Sequence, residues 1–404
     1  MKRNYYIVGL ILFVFFVISF LTNIIGPLVP EIIEDFDLSL TLVAFLPFAF
    51  FVAYGVMSIP SGIWVERFGE QKVMIRAFEI AFIGALAFAM YPNYLVAVIS
   101  LFLIGSGMAM LQVAINPLLR TAGGEENFAF NGVMAQLFFG LASFISPLAY
   151  SYLVLNLERK SEKSNILISG LAKFVPEHLA WISMYWLFAI ISLIMVVLIR
   201  SSKFPKVDRK EDEKTEPRGS YLELLKKPVV FAYFLGIFFY VGTEQGINNW
   251  LSEFLRTYHD YDPQTTGAQV VSRFWGLMTI GTVLGLLLLK LFDSRWVLIT
   301  FSTGAMISLG AALFGPGETA LVAFPMVGFF SSVMWSVLIS LALNSVTEHH
   351  GTITGILVTG IVGGAVWPLL IGCVGDLFDL KTGMMLLFLS LAYILIVGCW
   401  AHPL

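Results

Sequence analysis

One carboxylate lies where an acid is expensive. Glu244 sits inside a long apolar run, in Gly242-Thr-Glu-Gln-Gly-Ile-Asn-Asn-Trp250. A charge at mid-bilayer costs at least about 2.5–3.5 kcal/mol, so it needs a compensating role. On a helix Glu244 pairs with Asn248, and Gln245 with Asn249, as i,i+4 neighbours on a polar face. Such a face serves either as a hydrogen-bonding cluster between helices or as the wall of a watery cavity with a titratable acid. We carry the second reading forward, with Glu244 as the cation-coupling residue. Gly242 and Gly246 are expected to let this helix unwind locally or pack closely.

Uncharged hydrogen-bonding groups recur in other apolar runs. Asn23 precedes Gly26-Pro27, Gln112 and Asn116 stand four apart before Pro117, and Gln136 follows in the next run. Taken singly, each amide serves equally well as interhelical glue or as a ligand contact. Together they suggest donors and acceptors converging on a neutral hydroxylated solute. Trp275, Trp335 and Trp367 lie within apolar runs, away from the usual interfacial belt, and either stack on sugar C–H faces or fill the core. With Gln245, Asn248, Asn249 and Thr359, these form the candidate substrate-binding set.

Other polar residues have plainer readings. Arg76 and Glu79 form a local ion pair by spacing, Arg273 is expected to pair with Glu253, and Asp376 and Asp379 read as solvated. The adjacent His349 and His350 are not a metal cage. Cys373 and Cys399 form no CxxC pair. No P-loop, HExxH or GxSxG pattern occurs, so no ATP-driven or hydrolytic chemistry is signalled and no metal or cofactor is expected.

These residues need a membrane scaffold to position them. Of 404 residues 58% are hydrophobic and 13% charged, against about 45–50% and about 25% in soluble domains. The apolar runs are continuous and roughly 20 residues long, as helices crossing a bilayer require, and lack the alternation of a barrel. Twelve are predicted: 6–29, 43–65, 74–91, 95–118, 129–155, 180–200, 229–252, 270–292, 296–314, 319–345, 352–375 and 383–400. With the N-terminus inside, 17 of the 24 Lys and Arg fall on the cytoplasmic side, which predicts both termini cytoplasmic. Residues 201–228 carry 14 of the 51 charges and read as a solvated linker between two bundles, 1–200 and 229–404. A weak internal repeat supports duplication: Asn131-Gly-Val-Met-Ala-Gln136 matches Thr354-Gly-Ile-Leu-Val-Thr359 at an offset of 223, which also relates Gly140 to Gly363.

The loop after the second run reads Gly62-Ile-Trp-Val-Glu66-Arg67-Phe-Gly69. It resembles the Gly-x-x-x-Asp-Arg-x-Gly motif of the major facilitator superfamily, with Glu for Asp. The resemblance implies a gating role for Glu66 and Arg67, which would help to lock the cytoplasmic side of an outward-open state. A narrower likeness is to the fucose–galactose–glucose permease branch. It rests on Gly107-Met-Ala-Met-Leu-Gln-Val-Ala-Ile-Asn-Pro117, Met134-Ala-Gln136, Tyr240-Val-Gly-Thr-Glu244 and Ile361-Val-Gly-Gly364 with Pro368. That likeness implies sugar uptake by alternating access, driven by a cation gradient. There are departures. Where fucose–proton symporters carry acids on spans one and four, this chain has Gly26 and Gln112. The family's span-five amide pair keeps Gln136 but has Phe139, and its span-eight Gly-Arg reads Gly281-Thr282. Glu244 matches a glutamate of some hexose-transporting relatives, which moves the expected coupling there.

The expectation is an all-α membrane protein, twelve helices in two pseudo-symmetric six-helix bundles. It would import a monosaccharide or derivative with a proton or sodium ion, not act as an enzyme. Efflux of drugs or metabolites on the same fold is the first rival, and a non-transporting sensor or scaffold the second. Its partners would be the sugar and the lipid bilayer, without nucleic acid, in a functional monomer of a bacterial inner membrane.

Overall fold

A computed structural model describes residues 4–124, 126, 128–158, 166–176, 178–205, 224–346 and 350–401. Outside these lie Lys2, Arg3, Arg159, Lys160, Lys163, His349 and the 206–223 stretch of the predicted linker. Among the described residues, twelve helices are long and apolar enough to cross a membrane. They are α1 Tyr5–Phe36, α2 Leu40–Phe68, α3 Glu70–Met90, α4 Tyr94–Gly123, α5 Phe130–Leu157, α6 Ala180–Ser201, α7 Pro228–His259, α8 Pro263–Leu291, α9 Ser294–Phe314, α10 Gly317–Asn344, α11 Ile353–Leu377 and α12 Leu380–Trp400. All twelve predicted runs are present, α1–α6 forming one bundle and α7–α12 the other. Their outer surfaces are apolar, with Ile83, Leu95, Ile307, Val322 and Leu389 exposed.

The two ends of the molecule differ. One face carries the start of α1, the end of α6 and the start of α7; we call it the linker face. At the opposite face the bundles are sealed. The Asp376 carboxylate on α11 accepts from Leu40 N (2.9 Å) and Thr41 N (2.8 Å), capping α2 of the other bundle. It is exposed, as expected of a solvated acid, but it also carries a capping role that the sequence does not mark. Arg256 on α7 bonds Glu34 on α1 at 3.1 Å. Deeper in, Gly26 meets the backbone carbonyl of Asn248, where any Cβ would collide, and Gly372 meets that of Leu40. Towards the linker face, by contrast, Gly55, Gly62 and Gly132 have open space where a Cβ would stand.

Four helices are interrupted, α12 at Leu386 among them. α1 breaks between Thr22 and Ile25, α10 between Ser331 and Met334, and α11 passes through a 3-10 turn at Gly360–Val362. Irregular backbone at membrane depth is tolerated where it lines a cavity. α7 does not unwind: it is continuous from Pro228 to His259. Its glycines serve packing instead, Trp367 lying on Gly242 and Leu387 with Ile371 on Gly246.

Candidate functional site

Between the bundles, from mid-depth towards the linker face, lies a cavity of about 310 Å³. The breaks in α1, α10 and α11 reach it, through Thr22 and Asn23, Ser332, and Ile361. Of the residues singled out from sequence it gathers Asn23, Gln112, Gln136, Glu244, Gln245, Trp275 and Trp335. Glu244 is the one acid among the described lining residues, and none of them is Lys, Arg or His. Phe139 and Thr282, two of the departures noted above, line it as well.

Both carboxylate oxygens of Glu244 are met by donors. Tyr240, one turn before it, donates its hydroxyl to Oε2 at 2.6 Å, and Gln245 Nε2 donates to Oε1 at 3.1 Å. The same Nε2 reaches Asn23 Oδ1 across the bundle interface at 3.4 Å. Asn23 in turn donates to Ser143 Oγ at 2.9 Å. A buried hydrogen-bonded path thus runs from α7 of one bundle to α1 and α5 of the other. Facing it, the side chains of Gln112 and Gln136 make no hydrogen bond to described residues and are free to meet a solute. The rings of Tyr240 and Trp335 stand 6.1 Å apart.

The Major Facilitator Superfamily profile matches residues 11–368. The chain belongs to this superfamily. It is thus a multi-pass membrane protein. A glucose/galactose transporter of Brucella abortus is 28% identical over 393 residues, covering 95% of this chain and 91% of the relative. The L-fucose-proton symporter of Escherichia coli is 24% identical over 396 residues, covering 93% and 88%. The solved structure of the Escherichia coli fucose:proton symporter superposes with a TM-score of 0.67 at 22% identity, over 98% of each chain. An inward-facing bacterial homologue of the human lysosomal transporter Spinster reaches 0.80 at 14% identity, over 98% of this chain and 96% of its own. At these identities the superpositions establish the fold of the superfamily member alone.

Five candidates do not line the cavity. Asn116 is exposed and donates to the Gln112 carbonyl of its own helix at 3.1 Å. Asn248 is buried behind the wall, where its Oδ1 accepts from Trp275 Nε1 at 2.8 Å. Asn249, also buried, donates to the Gln245 carbonyl at 2.7 Å. Thr359 bonds the Ile356 carbonyl, and Trp367 is spent on Gly242. Glu66 and Arg67 lie at the linker face, the Arg67 guanidinium 5.3 Å from the Phe68 ring centroid. Arg76 and Glu79 pair as expected, at 2.6 Å. Glu253 pairs with Arg256 rather than with Arg273, because both partners lie on one helix, three residues apart. Asp379 caps α12 and is held below the usual carboxylate range by the Thr382 N–H. Tyr240 was missed as a site residue, although its i,i+4 spacing from Glu244 is visible in the sequence.

Proposed function

We propose that this protein imports a neutral monosaccharide by alternating access, coupled to a proton or a sodium ion through Glu244. The carrying observation is the make-up of the cavity. It has two unengaged amides on one bundle, two indoles and a tyrosine on the other, and, among the described lining residues, no cation to hold a phosphate or an acidic sugar. Free amides suit hydroxyls, which both donate and accept, and indole faces suit the C–H faces of a pyranose. The names of the Brucella and Escherichia relatives support the same class of substrate. The excess of Lys and Arg at the linker face supports an inner-membrane orientation with both termini cytoplasmic. This state, sealed opposite and roomy at the linker face, would then be inward-open, and a monomer would suffice for transport.

The test is uptake into proteoliposomes of D-glucose, D-galactose and L-fucose, with pH and sodium gradients imposed separately. Accumulation of one of these sugars under one gradient is expected. Gradient-driven export of unrelated solutes, with no sugar movement, would replace this reading by efflux.

Two substitutions sharpen it. Gln112→Ala and Gln136→Ala should each weaken sugar binding by about 1–3 kcal/mol, because a sugar hydroxyl loses its partner in a desolvated site. Calorimetric affinities unchanged in both would move the site elsewhere. Arg67→Ala should slow exchange several-fold while leaving affinity intact, since it disturbs a gate and not the cavity. Wild-type exchange rates in the variant would remove Arg67 from the gate.

A further inference from the structure

The indole N–H of Trp275 can only donate a hydrogen bond. Its partner, Asn248, must therefore present Oδ1, which it does at 2.8 Å. That choice leaves Asn248 Nδ2 facing Gln245, which must present Oε1, and the two lie 3.4 Å apart. Gln245 is then obliged to turn Nε2 towards Glu244 Oε1 and Asn23 Oδ1. Asn23 must in turn point Nδ2 at Ser143 and Ser19. Ser19 ends the path by donating to the Phe139 carbonyl at 2.6 Å. Amide orientation is normally ambiguous and is set by neighbours. Here one tryptophan sets it for three amides in succession, across four helices and both bundles.

We propose that Asn248, which never touches the cavity, is a positioning residue whose hold on the Trp275 indole orients the Gln245 amide between Glu244 and Asn23. Three parts of the protein are thereby joined. They are the aromatic wall against which a solute would press, the acid of the cavity, and the hydrogen bond that crosses between bundles. The residues that carry the relay beyond Glu244 are closely packed: Asn23, Gln245, Asn248 and Trp275 are each at most 3% exposed, and Asn248, the link under test, does not border the cavity at all. Asn249 provides an internal contrast. It is an equally buried neighbouring amide, but it bonds only the backbone of Gln245 and stands outside the relay.

The experiment uses the purified full chain without sugar. The hydrogen-bonded indole signature of Trp275 is read by ultraviolet resonance Raman as the difference from Trp275→Phe. The carboxyl band of Glu244 is read by infrared spectroscopy as the difference from Glu244→Gln. Asn248→Leu should lose the indole signature and also displace the Glu244 band, whereas Asn249→Leu should leave both unchanged. Asn248→Asp keeps an acceptor for the indole but has no donor for Gln245. It should therefore retain the indole signature and still displace the Glu244 band, which also covers the case in which Asn248→Leu does not fold. A Glu244 band unmoved in Asn248→Leu or Asn248→Asp, or moved equally by Asn249→Leu, would overturn the relay. A third arm rests on the sugar reading: Asn248→Leu should bind D-galactose or D-glucose about tenfold more weakly, the cost of a lost buried hydrogen bond. If the wild type binds neither sugar, that reading fails, while the spectroscopic arms still decide the relay.

Discussion

Glu244→Gln should abolish accumulation of solute against a gradient while leaving exchange in counterflow. The amide has nearly the shape of the carboxyl but carries no titratable proton and no charge for a cation. Its oxygen can accept from Tyr240 or from Gln245, but its nitrogen cannot accept from the other. One of the two donors now on the carboxylate thus loses its partner. That costs about 1–3 kcal/mol of local stability, which weakens binding without stopping the bundles from moving. Uphill uptake should fall to simple equilibration under pH and sodium gradients alike. Counterflow should persist, because the conformational cycle itself needs no charge. Retained uphill uptake would assign the coupling to another group or identify a uniporter.

A change with no chemistry in it should be nearly as severe. Gly26 lies directly against the Asn248 carbonyl, so the two bundles meet there backbone to backbone. A methyl group cannot be absorbed by rotating a neighbouring side chain, because the obstacle is main chain. Overpacking of this kind costs about 1–3 kcal/mol, and here it is felt only in the state sealed at the face opposite the linker. Gly26→Ala should therefore shift the balance of states about five- to 150-fold away from that seal. Gly26→Leu should all but eliminate the sealed state. Spin labels at Leu38 and Leu377, in a background with Cys373 and Cys399 replaced by serine, would read the distance across the seal. An unchanged distance distribution in Gly26→Leu would mean that the bundles do not close on this residue.

The twelve helices were legible because each must hide its backbone from lipid over about 20 residues, and no other signal in the chain is as long. Their ends were less so. The first run is expected to stop near residue 29, but α1 continues to Phe36 and breaks at Asn23–Ile24. Pro27 then falls in the first turn of the second segment, where a missing N–H costs nothing. The seventh run is expected to end near residue 252, but α7 continues to His259. There polar residues such as Glu253 are buried against the other bundle, and tertiary burial outweighs hydropathy.

In the site, periodicity found the right face of α7 but not the depth along it. Glu244 and Asn248 share a face, yet one turn separates a residue at the cavity from one buried behind it. The same limit applies on α4, where Gln112 lines the cavity and Asn116, one turn on, does not. Depth depends on which end of the molecule is sealed, and that is a property of two bundles rather than of any single helix. Asp376 was unreadable for the same reason. Its partners are backbone N–H groups 335 and 336 positions away, which no local pattern marks.

Those backbone partners give the seal a lopsided tolerance to sequence drift. An ion pair such as Arg256–Glu34 can be lost by a change at either end. The backbone bonds that Asp376 accepts from Leu40 N and Thr41 N, and the contact of Gly26 with the Asn248 carbonyl, depend much less on the side chains at 40, 41 and 248, although the Thr41 and Ser39 side chains also bond the carboxylate. Any residue except proline at position 41 still offers its N–H, and any residue at 248 still offers a carbonyl. The burden of preserving the joint falls mainly on one aspartate and one glycine, and the backbone they meet places little demand of its own on the side chains at 40, 41 and 248.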